Sequence, residues 1–310
     1  MAQGRGRTRG IGPTLPSPVK AGLTRARSAR WLLQTRGHLD ESGLRILLGL
    51  RILFYHRVSD DRDALAVSPR RFREQMDFLA FSGYRVVDAI EAAGYLVRGE
   101  VPRKTIGLNF DDGYLDVAEN ALPVLEEHGF RATVFVPTGV IDGTSTFGWY
   151  RRQPPLLTWD EIGELDRSGT LRFEAHTVTH PNLLALEDEA AREEIAGSKL
   201  ALEGRLGRAV DAFCYPAGLF GERERRFVAE AGFRVAVSCE PGVNVPGIDL
   251  LALRRRQIDA RDGLVDFRAK LGGGHDTPLP LRALYRRLRY GEARDARPRL
   301  VAQPRPEIRP

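Results

Sequence analysis

The sequence has little cysteine and no long apolar run among its 310 residues. Cys214 and Cys239 alone cannot form a disulfide framework or a four-cysteine zinc site. No 18 consecutive apolar residues occur, so no transmembrane helix is predicted. The most apolar stretch, Ile46–Leu50, is bounded by Arg45 and Arg51 and is too short for the core of a signal peptide. With 42% hydrophobic and 28% charged residues, the chain is predicted to be globular.

Acidic residues are absent from residues 1–36, which carry eight Lys or Arg, and residues 282–310 carry nine Arg and three acids. Because the net charge of the whole chain is +6, its middle must be acidic. We therefore expect no nucleic-acid partner. The composition predicts a flexible basic extension (1–40), a folded domain (41–275) and a basic C-terminal tail (276–310). The basic tails leave open a peripheral contact with an anionic membrane, and no oligomeric state is predicted.

Apolar, strand-like runs alternate with helical segments through the middle of the chain. Strands are predicted at Arg51–Val58, Tyr84–Val87, Thr105–Phe110, Ala132–Val136, Leu171–Ala175, Val210–Tyr215 and Arg234–Ser238. Helices are predicted after Ser68-Pro69, over about Leu186–Leu206 and near Glu222–Ala231. This alternation predicts an α/β fold with a parallel sheet, and about seven such units indicate a (β/α) barrel. Active sites of such barrels lie at the carboxyl ends of the strands.

Two adjacent carboxylates, Asp111 and Asp112, follow the apolar strand Thr105–Phe110. Adjacent carboxylates at such a place cannot both be buried without a compensating cation. One interpretation is therefore a metal ligand next to a general base. A solvated Asp-Asp-Gly turn is the alternative, and for this motif alone it is the more common one.

His176 and His180 follow the strand Leu171–Ala175 with a spacing of four residues. This spacing lets two imidazoles reach one metal ion. With one carboxylate they have the composition of a hydrolytic zinc site, although a non-haem iron site has the same ligand set. The alternative is one surface histidine and one core histidine.

The segment Asn109–Gly113 resembles the Thr-Phe-Asp-Asp-Gly motif of the polysaccharide deacetylases, also called the NodB-homology domain or carbohydrate esterase family 4. His176–His180 resembles the family's His-Ser/Thr-x-x-His motif. Similar context is present at Leu157–Glu161, Pro181–Leu183 and Tyr215–Gly218. The resemblance runs from about Leu53 to Leu271. It implies that the domain at 41–275 is a distorted (β/α) barrel of about seven parallel strands.

The resemblance also implies a reaction, namely hydrolysis of an N-acetyl group on an amino sugar in a polysaccharide or glycan precursor. The implied cofactor is a divalent metal, usually Zn²⁺, with Co²⁺ or Ni²⁺ as alternatives. Asp111 would be the general base, and Asp112, His176 and His180 would be the metal ligands. The backbone N–H of Ala217 would be the oxyanion donor.

The sequence departs from the family pattern in several places, two of which concern catalytic residues. Cys214 occupies the position of the arginine that steers the base, and the usual C-terminal Leu-x-His acid is missing, since His275 lies in a glycine-rich stretch. A branch related to the poly-N-acetylglucosamine deacetylases has similar departures and an early Tyr-His-x-Val segment, which Tyr55–Val58 resembles. By this resemblance His56 is the candidate acid. Arg255 is the candidate replacement for the steering arginine, since its neighbours Arg254 and Arg256 would point to the opposite face of a strand. The alternatives are a packing histidine and a charged, solvent-facing strand edge.

Tyr215, Pro216 and Trp159 are the candidate substrate-binding residues, with half-buried packing as the alternative for Trp159. Three further functions remain open: a carbohydrate-binding protein of the same fold with reduced catalysis, a deacylase or deformylase of a small or lipid-linked amino sugar, and an interaction protein acting through its tails. Because no export signal is visible, we predict a cytoplasmic location, with the inner membrane face as the alternative.

Overall fold

The computed structural model of the protein describes residues 49–273 and 276. The predicted basic extension, nearly all of the predicted C-terminal tail, residues 41–48 and His275 lie outside the described residues. Within the described part, no helix combines the length and the apolar character needed to cross a membrane.

Strands and helices alternate along the described chain. The strands are β1 (Arg51–Tyr55), β2 (Arg57–Val58), β3 (Ala66–Val67), β4 (Arg85–Val87), β5 (Thr105–Asp111), β6 (Ala132–Val136), β7 (Leu171–Ala175), β8 (Ala212–Cys214), β9 (Val235–Val237) and β10 (Arg256–Gln257). The α-helices are α1 (Pro69–Phe81), α2 (Ala89–Arg98), α3 (Leu122–Glu127), α4 (Thr138–Ile141), α5 (Trp159–Ser168), α6 (Asp188–Leu206), α7 (Glu222–Glu230) and α8 (Leu264–Leu271). A π-helical turn at Val117–Ala121 and 3₁₀ turns at Leu183–Ala185, Pro216–Gly218 and Leu250–Ala252 complete the set.

A curved parallel sheet with the strand order β10-β1-β5-β6-β7-β8-β9 forms the centre of the protein, and β4 pairs with the first half of β5. The segment 253–257 links the two edges of this sheet. The Leu253 amide donates to the carbonyl of Ala236 in β9. Four residues further on, Gln257 of β10 pairs with Phe54 of β1. The predicted fold, a distorted (β/α) barrel of about seven parallel strands, is confirmed.

Strand side chains alternate between two hydrophobic clusters, as the two-residue period of a strand requires. One cluster contains Ile52, Phe135, Cys214 and Val237 together with the alanine-rich face of α2. The other contains the alternate residues of the same strands and the apolar faces of α1, α5, α6 and α7. Every second strand residue is therefore buried against the helical layer, and the remaining ones fill the concave side of the sheet.

The predicted element bounds agree with the structure except at a few points. The strand predicted over Arg51–Val58 is interrupted at His56, because the chain leaves the main sheet there and β2 pairs with β3 in a separate two-stranded sheet. The long helix begins at Asp188 rather than Leu186, since Leu183–Ala185 forms a 3₁₀ turn. Ser68 caps α1 as predicted, by accepting a hydrogen bond from the amide of Arg71.

Candidate active site

The conspicuous polar residues of the sequence converge at the carboxyl end of the sheet. Asp111 is the last residue of β5, His176 directly follows β7, and Cys214 is the last residue of β8. Parallel strands present their carboxyl ends to the same edge, so side chains that are distant in sequence meet there. One ligand atom from each of Asp112, His176 and His180 lies within 4.8 Å of the other two.

The backbone around these residues is strained. Among the described residues, five other than glycine have a positive φ, and four of them lie in the motifs of this site: Asp112 (78°), Thr177 (67°), His180 (58°) and Ala217 (53°). Such conformations cost of order 1 kcal/mol or more each and persist only where the surrounding structure enforces them. Their concentration here indicates that the fold holds these side chains in particular directions at a cost in local backbone energy.

Asp112 has a carboxylate oxygen placed to share a cation with two imidazoles. Its Oδ1 atom is 3.7 Å from Nε2 of His176 and 3.7 Å from Nε2 of His180. These distances are too long for hydrogen bonds, and Oδ1 is buried with no hydrogen-bond partner among the described residues. An ion at about 2.1 Å from each atom would fit between them. The donor set therefore suits a divalent metal with nitrogen and oxygen ligands.

The two imidazoles are prepared to act as neutral ligands. Nδ1 of His176 donates to the backbone carbonyl of Cys214 at 2.7 Å, which leaves the lone pair of Nε2 directed at Asp112. Burial, only partly opposed by the charge on Asp111, lowers the pKa of His176 to about 4. Burial and the neighbouring His176 lower the pKa of His180 as well. Both rings are therefore unprotonated at neutral pH.

Among the described residues, no cationic side chain contacts Asp112 to balance its charge. Its second oxygen, Oδ2, accepts a hydrogen bond from the hydroxyl of Tyr114 at 3.3 Å. Burial and the negative charge of Asp111 raise the pKa of Asp112 well above its usual range. An added cation would reverse this effect, because the charged form would then be the paired one.

Asp111, by contrast, is held in its ionised form. Its two oxygens accept hydrogen bonds from Nη1 and Nη2 of Arg255 at 2.7 and 2.8 Å, a bidentate pair that is almost completely buried. Burial by itself would raise the pKa of this carboxyl, but the Arg255 charge outweighs burial and lowers it to about 2. The Sγ atom of Cys214 makes a weaker contact with Oδ2 at 3.7 Å.

Arg255 is fixed on several sides at once. Its Nε donates to the carbonyl of Ser238 at 3.0 Å, and Nη2 donates to Sγ of Cys214 at 3.0 Å. The guanidinium also lies over the ring of Phe54, 4.1 Å from the centroid. The alternative interpretation of Arg255 as part of a charged, solvent-facing strand edge is therefore wrong, because Arg255 is fully buried. Its neighbour Arg256 instead pairs with Asp276.

His56 occupies the interruption between β1 and β2. Its Nδ1 atom is buried without a hydrogen-bond partner among residues 49–273 and 276, and its ring is 5.7 Å from that of Phe54. Burial lowers the pKa of His56, and the charge on Asp111 acts in the opposite direction. His56 is therefore within electrostatic reach of Asp111.

The loop after β8 brings Ala217 to the surface. Ala217 is exposed with φ 53°, while its neighbours Tyr215 and Pro216 are buried. The Tyr215 hydroxyl donates to the carbonyl of Leu251 at 3.0 Å. Gly218 makes the turn possible, because its φ is 64° and a Cβ atom would lie 2.3 Å from the backbone nitrogen of Cys239. The loop is thus closely fitted beneath the exposed Ala217.

The tryptophans lie in different surroundings. Trp159, the predicted sugar contact, begins α5, donates from Nε1 to Asp142 at 2.6 Å and lies 5.2 Å beneath the Arg205 guanidinium. Trp149 instead approaches the candidate metal ligands, with its ring 5.1 Å from that of His180. Trp149 also lines an open cleft of about 640 Å³ between the 57–64 and 149–155 segments.

Three further residues belong to this region, namely Tyr114, Tyr150 and Asp63, and of these only Tyr150 was considered from the sequence, as a possible contact for a sugar ring. The hydroxyl of Tyr150 donates to Oδ2 of Asp63 at 2.6 Å and lies 3.5 Å from the hydroxyl of Tyr114. The position of Tyr114 directly after the Asp-Asp-Gly turn was a usable signal. Tyr150 and Asp63 come from loops with no motif, so only the fold brings them together.

Comparison with known proteins gives a consistent assignment. Residues 98–236 match the family described as polysaccharide deacetylase. The chain is 28% identical to the Bacillus subtilis protein YxkH over 210 residues, covering 67% of this chain and 71% of that protein. It is 23% identical to a Staphylococcus aureus poly-beta-1,6-N-acetyl-D-glucosamine N-deacetylase over 202 residues, covering 63% and 68%.

Solved structures agree with these relatives. The structure of IcaB from Ammonifex degensii matches with a TM-score of 0.64 and 29% identity, covering 72% of this chain and 97% of that one. The Streptococcus pyogenes deacetylase PplD matches with a TM-score of 0.64 and 24% identity, covering 73% and 99%, which supports the fold alone.

Proposed function

With the resemblance to the polysaccharide deacetylase family confirmed, we propose that this protein is a metal-dependent hydrolase. It removes N-acetyl groups from an amino sugar in a polysaccharide or glycan precursor. In this proposal residues 41–275 are the catalytic domain. Asp112, His176 and His180 hold the metal, with Zn²⁺ as the expected ion and Co²⁺ or Ni²⁺ as alternatives.

One observation carries the proposal: an unpartnered buried oxygen of Asp112 lies between two neutral imidazoles, directly beside an ionised Asp111. A buried carboxylate in this state is costly unless a cation joins it. Three protein ligands leave a coordination position for the reaction, as in hydrolytic zinc sites. A purely structural carboxylate would instead be expected to have its own cationic partner.

The reaction needs a nucleophile, a base, an oxyanion donor and an acid. When bound, a divalent ion supplies acidified water and a polarised acetamide carbonyl. Asp111 accepts the proton of the attacking water. Oδ1 of Asp111, which accepts one hydrogen bond from Arg255, keeps a further lone pair for this purpose, whereas Oδ2 also contacts Sγ of Cys214. With a pKa of about 2, Asp111 is a weak but permanently ionised base, so the acidity of the water is an essential part of the proposal.

The remaining roles fall to His56 and the loop after β8. The backbone N–H of Ala217, an exposed residue, is our proposed donor to the oxyanion of the tetrahedral intermediate, a contribution typically worth about 10²–10³ in rate. Tyr215 and Pro216 set the position of this loop. We propose that His56 gives a proton to the departing amine, and the nearby charge of Asp111 favours its protonated form against the effect of burial.

The cleft beside Trp149 and Tyr150 supports a sugar substrate. Its volume of about 640 Å³ lies in the range of small-molecule sites, and its walls combine aromatic and polar side chains. An amino sugar with its acetamide at the metal donors would place neighbouring groups in this cleft. Aromatic rings that pack on sugar faces would then come from Trp149 and Tyr150, while Trp159 remains a more distant candidate.

The test is acetate release from N-acetylglucosamine oligomers by purified protein. It is measured after chelation, after addition of zinc, cobalt or nickel, and in zinc-loaded Asp111→Asn. We expect activity that requires the metal and falls sharply in the variant. Full activity in a stringently metal-free preparation would contradict the proposal. Binding of the sugars and one metal per chain without acetate release would instead favour a carbohydrate-binding protein with reduced catalysis.

A further inference from the structure

We propose that Tyr114 is a positioning residue for the metal ligand Asp112, and that Tyr150 and Asp63 hold Tyr114 in place. The inference rests on the proposed function, because it concerns how this chain orients its metal ligand. It predicts a specific loss of metal affinity when a single hydroxyl group is removed.

The two oxygens of Asp112 have unequal surroundings. Oδ2 accepts a hydrogen bond from the Tyr114 hydroxyl at 3.3 Å, whereas Oδ1 lies 3.7 Å from each of two imidazole nitrogens. A partial rotation of the carboxylate about χ2 would move an oxygen away from the two imidazole nitrogens. The hydrogen bond from Tyr114 to one oxygen opposes this rotation and so keeps the other oxygen available to a cation. Partners of this kind commonly change metal affinity by about 10- to 100-fold.

The backbone of Tyr114 is itself fixed by its neighbours. Gly113 precedes it with φ 71°, and a Cβ atom at Gly113 would lie 2.8 Å from Cγ1 of Val136. Tyr114 forms an isolated antiparallel bridge with Leu156, and the amide of Leu115 donates to the carbonyl of Pro155 at 3.0 Å. The tight turn therefore returns the tyrosine toward the aspartate two positions before it.

The ring of Tyr114 is held in place by the residues around it. The side chain is fully buried, and its ring is 6.3 Å from that of Tyr150 in an edge-to-face arrangement. The Tyr150 hydroxyl donates its only proton to Asp63 at 2.6 Å, so it does not donate to Tyr114. The proton of Tyr114 has two acceptors within reach, the Tyr150 hydroxyl oxygen at 3.5 Å and Oδ2 of Asp112 at 3.3 Å, and the carboxylate is the nearer and the stronger one.

Asp63 is in turn tied down by Arg57, whose Nη1 donates to it at 3.0 Å. Arg57 also lies over the Tyr114 ring at 5.5 Å and donates from Nε to Asp116 at 2.8 Å. The chain of contacts thus runs from a buried arginine through Asp63 and Tyr150 to the hydroxyl beside the metal ligand. A purely packing role for Tyr114 would not require this hydroxyl.

The experiment measures zinc affinity by competition with a chromophoric chelator, together with the absorption spectrum of the cobalt-loaded protein. The variants are Tyr114→Phe and Tyr150→Phe, and the matched control is Tyr55→Phe. Tyr55 is also fully buried and donates one side-chain hydrogen bond, to Gln75 at 2.7 Å, but it lies outside the donor set. Each variant keeps its aromatic ring, and urea unfolding of the metal-free proteins reports folding separately.

We expect the zinc dissociation constant to rise at least 10-fold in Tyr114→Phe, about threefold in Tyr150→Phe and less than twofold in Tyr55→Phe. The cobalt spectrum should shift in Tyr114→Phe alone. Unchanged affinity in Tyr114→Phe, or an equal loss in Tyr55→Phe, would overturn the inference. If Tyr114→Phe does not fold, the same decision rests on Tyr150→Phe against Tyr55→Phe. Absence of zinc binding by the wild-type chain would overturn the proposed function as well, and wild-type binding separates the two failures.

Discussion

Glu174 and Asp112 are both buried carboxylates of the central sheet region, and they are satisfied in opposite ways. Oε1 of Glu174 accepts hydrogen bonds from Nε of Arg172 at 2.7 Å and Nη1 of Arg208 at 3.1 Å, and Oε2 accepts one from the amide of Ala212 at 2.7 Å. Within the described part of the chain, Asp112 has a neutral hydroxyl on one oxygen and neutral imidazoles near the other. A carboxylate whose own chain supplies the cations serves the fold, whereas one surrounded by neutral donors is suited to an added cation.

The largest expected effect on activity comes from removing the Asp112 carboxylate. In Asp112→Ala we expect acetate release to fall at least about 10³-fold and zinc to be lost, because one of three protein ligands is missing. The free energy of unfolding of the metal-free protein should change by less than about 1 kcal/mol, since no ion pair is broken. Activity assays, zinc analysis and urea unfolding check these outcomes. Retention of one tightly bound zinc per chain would contradict the assignment of Asp112.

Replacement of the adjacent carboxylate, Asp111, should lower activity without loss of zinc. In Asp111→Asn we expect acetate release to fall about 10²–10⁴-fold, the range expected when a general base is lost, while zinc binding is retained. The measurement is kcat together with zinc content. Loss of the zinc in this variant would mean that Asp111 is a ligand rather than a base.

The structural carboxylate should show the reverse behaviour. In Glu174→Ala we expect the free energy of unfolding to fall by about 2 kcal/mol. Loss of one member of a fully buried pair usually costs about 3–5 kcal/mol, but Arg172 and Arg208 are partly exposed and can be solvated. The zinc dissociation constant, measured alongside urea unfolding, should stay unchanged. A large loss of zinc affinity would show that the two carboxylates are not separate in function.

The pH dependence of the unfolding free energy gives a further prediction, which concerns Asp111. The pKa of Asp111 is about 2 in the folded protein, below its ordinary value of 3.8. Its pair with Arg255 therefore stabilises the fold above about pH 4, by no more than roughly 2 kcal/mol, and this stability is lost as the pH falls through about 2. The unfolding free energies of metal-free wild type and Asp111→Asn should accordingly converge as the pH falls from about 4 to about 2.

A control for this experiment is Glu127→Gln, which breaks an exposed ion pair with Arg73. Exposed pairs contribute little, so the control should remain parallel to the wild type over the same pH range. A constant difference between wild type and Asp111→Asn down to pH 2 would contradict the depressed pKa of Asp111.

The fold and the clustering of Asp112, His176 and His180 were predictable because they depend on local patterns. Apolar strands of five to seven residues, such as Thr105–Asp111 and Leu171–Ala175, are visible in the sequence. The carboxyl ends of parallel strands must meet, so Asp112, His176 and His180 were expected to lie together. Helix α5 was not predicted, although its capping box of Thr158 and Glu161 was a local signal of the same kind.

Other features depend on contacts between distant loops and had no sequence signal. The bidentate pair of Arg255 with Asp111 joins residues 144 positions apart. The contact between Tyr150 and Asp63 spans 87 positions. The spacing of charged residues in Leu253–Arg256 made Arg255 a candidate, yet only the linking of the sheet edges by this segment shows why its guanidinium reaches Asp111.

The most direct test of the central claim is titration of zinc into metal-free protein, with bound zinc and acetate release from N-acetylglucosamine oligomers followed together. We expect activity to be absent at the start, to rise in proportion to bound zinc and to reach its plateau at one zinc per chain. Acetate release that is equally fast before any zinc is added, or that is independent of the bound zinc, would contradict this claim.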